Sequence, residues 1–170
     1  MKNGPELLGI TVALLACVKQ PVTDLLTSAR EDLECAVRSR ARVLISGGAN
    51  ADTAAIALWI HDRGPRRSGP FVSIDCAAPQ IILESVMPGS GREPYPVHAG
   101  TLFIGNVGKM NAHMQSELVR ALDHTPDAPI IAATNGNLHD EVLAGRFRED
   151  LYYRLNTIHI VCAIADSDHE

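Results

Sequence analysis

Five short apolar runs recur along the chain, at residues 43–45, 71–74, 102–104, 130–133 and 158–161. Continuous apolar runs of this length are typical of strands that are buried on both faces of a parallel sheet. The pattern therefore predicts five buried parallel strands.

Segments with helical spacing lie before and between these runs. The first begins with a capping box at residues 28–31, in which side chains satisfy the first free backbone N–H groups of a helix. The four segments are the stripe Leu33, Ala36 and Val37, residues 54–60, the face Met110, Met114, Leu118 and Leu122, and residues 141–144, which end at Gly145. Alternation of strands and helices predicts right-handed crossovers and a three-layer α/β sandwich around a five-stranded parallel sheet.

These patterns place one α/β core at residues 28–170 and an N-terminal apolar extension at residues 1–27. A chain of 170 residues with 46% hydrophobic content can bury one sizeable core. Residues 9–18 are apolar but too few to span a bilayer. We expect them to form a helix or strand that covers apolar surface or contacts a partner, in a cytoplasmic protein.

Charge and cysteine content narrow the classes of function. The formal net charge of −5 argues against broad binding of DNA or RNA. Two arginine groups, at residues 38–42 and 63–67, are interpreted as helix C-terminal and loop charges. The four cysteines show no metal-ligand spacing, so no metal site is predicted. We expect Cys35, Cys76 and Cys162 to pack in the core.

The segment after the first predicted strand has the place of a phosphate-binding loop. Such a loop, G-x-x-x-x-G-K-[ST], needs glycines that let backbone N–H groups surround an anion, a lysine that neutralises phosphates and a hydroxyl that binds Mg²⁺. Here the residues are Gly47, Gly48, Ala49, Asn50, Ala51, Asp52 and Thr53. Gly47 matches the pattern, but Asp52 replaces the second glycine and Thr53 replaces the lysine.

Asp52 opposes phosphate binding in two ways. It must either adopt a conformation that costs roughly 1 kcal/mol more than it would for glycine, or reshape the turn. Its carboxylate would also face the phosphates, and like charges about 4 Å apart repel by roughly 4 kcal/mol at an effective dielectric of 20. We therefore expect no productive ATP binding.

Three blocks of sequence resemble the AAA+ domain of sigma-54-dependent transcriptional activators, the bacterial enhancer-binding proteins. Residues 43–78 are similar to the first two strands and the phosphate loop of that family, and residues 100–122 to its Walker B strand and following helix. Residues 130–135 and 145–156 are similar to its sensor I and arginine-finger segments. The resemblance covers roughly residues 27–161 and implies a P-loop NTPase fold.

The chain departs from the family where hydrolysis would occur. Gly105 and Asn106 replace the Walker B Asp-Glu pair that would hold Mg²⁺ and polarise water, and neither can act as a base. Residues 86–99 replace the insertion that carries the sigma-contacting GAFTGA loop. After residue 161 we expect neither a helical lid nor a DNA-binding helix-turn-helix.

Arg148 and Arg154 match positions from which, in the family, arginines reach into the nucleotide site of the neighbouring subunit. The resemblance implies that this chain completes or blocks a partner's site in trans. The alternative is that both arginines pair with Glu149 and Asp150 on a solvated helix surface.

Asn135 follows the fourth predicted strand, where open α/β sheets bind ligands. The resemblance implies a sensor that orients water near a γ-phosphate. Because no lysine or metal ligand accompanies it, we favour a hydrogen bond to the backbone of its own turn.

Together these observations predict a catalytically inactive AAA+ domain, a pseudo-ATPase without a required cofactor, that regulates transcription by protein–protein interaction. We expect its partner to be an intact enhancer-binding protein or a second copy of itself, with no direct contact to nucleic acid or membrane. One alternative is a nucleotide or anion sensor with a reshaped loop and weak ATP binding. Another is a remnant without a selected activity.

Overall fold

The computed structural model of the protein describes residues 30–47, 52–77 and 100–162. Five strands in these ranges form one sheet, in the order β2-β3-β4-β1-β5, and every neighbouring pair is parallel. The strands are β1 (Val43–Gly47), β2 (Phe71–Asp75), β3 (Thr101–Gly105), β4 (Ile130–Thr134) and β5 (Ile158–Cys162). All five predicted strands are therefore confirmed, within one residue at their starts and two at their ends.

Five α-helices accompany the sheet in the same part of the chain. They are α1 (Arg30–Arg38), α2 (Thr53–Arg63), α3 (Ala112–His124), α4 (Leu138–Leu143) and α5 (Glu149–Leu155), with a short 3₁₀ helix at Val107–Lys109. Helix α4 stops where the pattern predicted, because Gly145 takes the left-handed conformation (φ 71°) that glycine adopts at little cost.

The sheet separates two apolar clusters, as side chains that alternate along a strand require. In β1, Leu44 packs with the cluster formed by α3, α4 and α5, whereas Val43 and Ile45 pack with the cluster formed by α1 and α2. The predicted three-layer α/β sandwich is thus confirmed.

Three expectations are wrong in detail. The edge strand β2 is not buried on both faces, since Ser73 and Asp75 are exposed and no strand in the described residues covers its outer edge. Met110 is buried but precedes α3, so it does not belong to that helix. Cys35 is exposed on α1, whereas Cys76 and Cys162 are buried as expected.

Several predictions concern residues outside the described ranges. They include the N-terminal extension and its boundary at residue 28, loop residues 48–51, and residues 78–99 and 163–170. Within the described ranges, no helix is long and apolar enough to cross a membrane.

Candidate functional site

Parallel strands bring the residues of interest to one edge of the sheet. Asp75, Gly105 and Thr134 end β2, β3 and β4, and Asp52 begins the helix that follows β1. Because all strands run the same way, their carboxyl ends meet there, which is the usual ligand edge of an open α/β sheet.

Asp52 caps the N-terminus of α2. Its carboxylate accepts a hydrogen bond of 2.9 Å from the backbone N–H of Ala55. Its φ of −80° is ordinary for a side-chain-bearing residue, so Asp52 itself does not adopt the costly glycine-like conformation. A phosphate loop directs the N–H groups at the start of this helix toward its anion. Here one of them, that of Ala55, instead donates to the acidic side chain of Asp52.

Thr53 is the first residue of α2 and is half-buried. It brings no positive charge to the position at which the phosphate loop pattern requires a lysine. Residues 48–51 of the predicted loop lie outside the described ranges.

A chain of side-chain hydrogen bonds links the ends of β2, β3 and β4. The Nδ2 group of Asn106 donates to Oδ1 of Asp75 at 2.7 Å, and Nδ2 of Asn135 donates to Oδ1 of Asn106 at 2.8 Å. The backbone N–H of Ala77 also donates to Asp75. The hydrogen bond from Asn106, followed by that from Ala77, holds the pKa of Asp75 below its ordinary value, so its carboxylate is charged at neutral pH.

Asn106 holds this position with a left-handed backbone (φ 52°), which asparagine tolerates better than most residues. The preceding Gly105 has room for a side chain, since an added Cβ would lie 3.5 Å from the Phe103 ring and 3.6 Å from the Ile74 carbonyl oxygen. An added Cβ at Gly105 would therefore make ordinary van der Waals contacts and no clash.

The structure brings Asn106 and Asn135 together at this edge, and the partner of Asn135 differs from the one that the sequence analysis favoured. Asn135 donates to the Asn106 side chain and not to the backbone of its own turn, so that expectation is wrong. Asp75 was not predicted. Its signal in the sequence was an acidic residue directly after the apolar run at residues 71–74.

A cavity of about 200 Å³ adjoins this chain of hydrogen bonds. Its walls include Asn106, Lys109, Thr134, Asn135 and Glu141. Arg146 donates two hydrogen bonds to Glu141, and these contacts are the main reason that the pKa of Glu141 is lowered. No group of three or more His, Cys, Asp or Glu side chains within the described residues could hold a metal ion.

Arg148 and Arg154 lie at opposite ends of α5, and each has an intramolecular partner. Arg148 occupies the N-cap position without a capping hydrogen bond from its side chain, and it donates two hydrogen bonds to Asp150, at 2.9 and 2.7 Å. Arg154 pairs with Asp123 at the end of α3 and not with Glu149 or Asp150, so the predicted local pairing is right for Arg148 and wrong for Arg154. Both arginine side chains remain partly exposed, 45% for Arg148 and 36% for Arg154.

Comparison with protein families finds the sigma-54 interaction domain, matched over residues 22–161. Relatives include the Nif-specific regulatory protein of Enterobacter agglomerans, 38% identical in an alignment 141 residues long that covers 68% of this chain and 27% of that protein. The regulatory protein AtoC of Escherichia coli is 36% identical in an alignment 148 residues long that covers 72% of this chain and 32% of that protein. The chain thus spans between a quarter and a third of the length of these relatives.

Solved structures of similar fold agree with this comparison. NtrX from Brucella abortus in complex with ATP superposes with a TM-score of 0.71 at 25% identity, over 82% of this chain and 35% of NtrX. The P-loop NTPase domain of a sigma-54 activator from Escherichia coli superposes with a TM-score of 0.57 at 22% identity, over 78% of this chain and 98% of that domain.

Proposed function

The chain belongs to the sigma-54 interaction domain family, and from that premise we propose that it regulates transcription as a catalytically inactive AAA+ domain. In this proposal it is a pseudo-ATPase that works in the cytoplasm by binding another protein. It needs no cofactor, and its partner is an intact enhancer-binding protein or a second copy of this chain.

The observation that carries the proposal is the end of β3. Gly105 and Asn106 offer no carboxylate for Mg²⁺ or for a general base. Both polar groups of the Asn106 amide already have partners, Asp75 and Asn135. The amide therefore stabilises the edge of the sheet, and because an amide is not basic it cannot take a proton from water.

The start of α2 supports the same conclusion for nucleotide binding. The Asp52 carboxylate already accepts a hydrogen bond from Ala55 N–H at the helix N-terminus. A bound phosphate would compete for this end of the helix and would meet a like charge, with no lysine at Thr53 to offset the repulsion.

The surface around α5 supports a role in trans. Exposed ion pairs contribute little to stability, because water solvates both charges and salt screens them. Arg148 and Arg154 can therefore leave Asp150 and Asp123 at low cost when a partner presents a stronger anion, such as the phosphates of its bound nucleotide.

The test is the ATPase rate of an intact enhancer-binding protein with and without this chain. We expect wild-type protein to change that rate, and Arg148→Ala combined with Arg154→Ala to remove the change, since arginines that act in trans alter turnover by about 10³-fold or more. Binding is measured separately by analytical ultracentrifugation.

Arg146→Ala is the matched control, because Arg146 is also exposed and ion-paired but matches no arginine-finger position. We expect it to act like wild type. An unchanged effect of the double variant, with binding intact, contradicts the role in trans.

A second candidate function is a nucleotide or anion sensor with a reshaped loop and weak ATP binding. The 200 Å³ cavity favours it, because it keeps space at the ligand edge and has Lys109 among its walls. Calorimetric titration with ATP and Mg²⁺ separates the two. Saturable binding by wild type favours the sensor, whereas binding only by the Asp52→Gly, Thr53→Lys variant favours the pseudo-ATPase.

A further inference from the structure

The opposite edge of the sheet, at the amino ends of the strands, carries a group of arginines that the proposed function does not use. Arg40 and Arg42 lie between α1 and β1, and Arg66 follows α2. Both helices end at this edge, and the partial negative charge of their C-termini favours nearby cations. That attraction explains why arginines gather here, but it leaves part of their hydrogen-bonding capacity unused.

Arg66 shows the clearest unused capacity. Its Nη1 group is buried and has no hydrogen-bond partner, and its Nη2 group makes one long bond of 3.4 Å to the carbonyl oxygen of Asp127. Buried polar groups in proteins nearly always have partners, so an unpaired charged donor indicates a missing water or ion.

The local balance of charge points to an anion. Burial is the first cause that lowers the pKa of Arg66, and the positive charge of Arg40 is the second. Burial likewise lowers the pKa of Arg42, followed by the charge of Arg154. The negative charge of Asp127 acts in the opposite direction on both pKa values. Among the described residues, however, Arg40, Arg42 and Arg66 make no ion pair with a carboxylate. Positive charge is therefore in excess at this edge of an otherwise acidic protein.

A cavity of about 40 Å³ lies beside these arginines. Its polar walls come from Ser39, Arg40, His61, Arg66 and Thr101. The Ser39 hydroxyl oxygen accepts from Ala41 N–H, which leaves its O–H able to donate. Since one water needs about 10–15 Å³ on this measure, the space suits about three waters or one small tetrahedral ion.

We propose that Arg40 and Arg66 hold a phosphate-type oxyanion in this cavity, at the edge of the sheet opposite the nucleotide-site remnant. The planar guanidinium fork presents two parallel N–H groups that match the oxygens of such an anion. The guanidinium groups of Arg40 and Arg66 would gain an acceptor in the cavity, and the charges of both arginines would be offset. The protein would thereby become more stable as phosphate concentration rises.

The probe is inorganic phosphate, titrated at constant ionic strength with sodium chloride as the balancing salt. Thermal unfolding and calorimetry report binding. We expect saturable binding by wild type, equal or similar binding of sulfate, and at least tenfold weaker binding of acetate, whose planar carboxylate has only two oxygens. Stabilisation no greater than that by chloride, or acetate binding as tight as phosphate, would overturn the proposal.

Arg40→Gln locates the site, because Arg40 is exposed and makes no hydrogen bond or ion pair on which the fold depends. We expect it to weaken phosphate binding at least tenfold. Arg67→Gln is the matched control, since Arg67 is an exposed neighbour that does not line the cavity, and we expect less than a twofold change. Phosphate binding that survives Arg40→Gln would place the ion elsewhere, for example at the remnant loop, and would refute this site.

Discussion

Replacement of Asp52 by alanine tests directly whether an acidic side chain has taken over the helix end at which a phosphate would bind. Alanine removes the acceptor of the 2.9 Å hydrogen bond from Ala55 N–H. Loss of an N-cap of this kind costs about 1 kcal/mol, within a range of roughly 0.5–2 kcal/mol. Asp52→Asn keeps an acceptor and loses only the charge, whose interaction with the helix dipole contributes about 0.3–1 kcal/mol.

We therefore expect Asp52→Ala to lower the free energy of unfolding by about 1 kcal/mol, and Asp52→Asn to lower it by clearly less. For a domain of this size the alanine variant should unfold at a temperature roughly 2–4 °C lower. Urea unfolding followed by fluorescence is a suitable assay, because the single tryptophan, Trp59, lies on α2 beside Arg63.

The urea m value should stay unchanged, since neither variant alters the surface that unfolding exposes. If the Asp52→Ala variant is as stable as wild type, the side-chain cap contributes nothing to the free energy of unfolding. If the Asp52→Asn variant is destabilised as much as the Asp52→Ala variant, the charge of Asp52, and not its hydrogen bond, stabilises the helix.

Two further predictions concern histidine and cysteine. Burial lowers the pKa of His61 and of His159 below the ordinary value of 6.5, so the unfolded state binds more protons in the window just below that value. The free energy of unfolding should fall as the pH is lowered from about 7 to about 5.5, a range above that in which the carboxylates titrate, and a flat profile would contradict this. Burial also raises the pKa of Cys76 to about 12 and of Cys162 to about 11. Among the cysteines that the structure describes, iodoacetamide at about pH 8 should therefore modify exposed Cys35 before Cys76 and Cys162, as peptide mass spectrometry would detect. Equal labelling of these three would be the opposite result.

The sequence predicts the elements of the fold well, because each buried strand is a continuous apolar run that contrasts with its surroundings. The sequence predicts less well which strands and side chains lie next to one another in the folded protein. The exposure of Ser73 on β2 follows from its place at the sheet edge, and strand order is not written in local periodicity. Cys35 lies on the exposed side of the amphipathic helix α1. Its apolar character led to the wrong prediction that it packs in the core.

The candidate site shows the same limit. The positions of Asn106 and Asn135 at strand ends were predictable, but the hydrogen bond between them depends on the adjacency of β3 and β4. The pairing of Arg154 with Asp123 joins residues 31 positions apart, from two helices that pack together. Side-chain partners of this kind depend on tertiary packing, which residue spacing alone does not specify.

Catalytic inactivity is tested most directly by the release of inorganic phosphate from saturating ATP and Mg²⁺ by the purified chain. Asn135→Ala serves as a control, because it removes the sensor-like side chain and would lower any activity that belongs to this protein, while a contaminating ATPase would be unaffected. The proposal predicts that wild type and Asn135→Ala release phosphate at the same background rate. Steady turnover by wild type that falls in Asn135→Ala would contradict it and establish the chain as an ATPase.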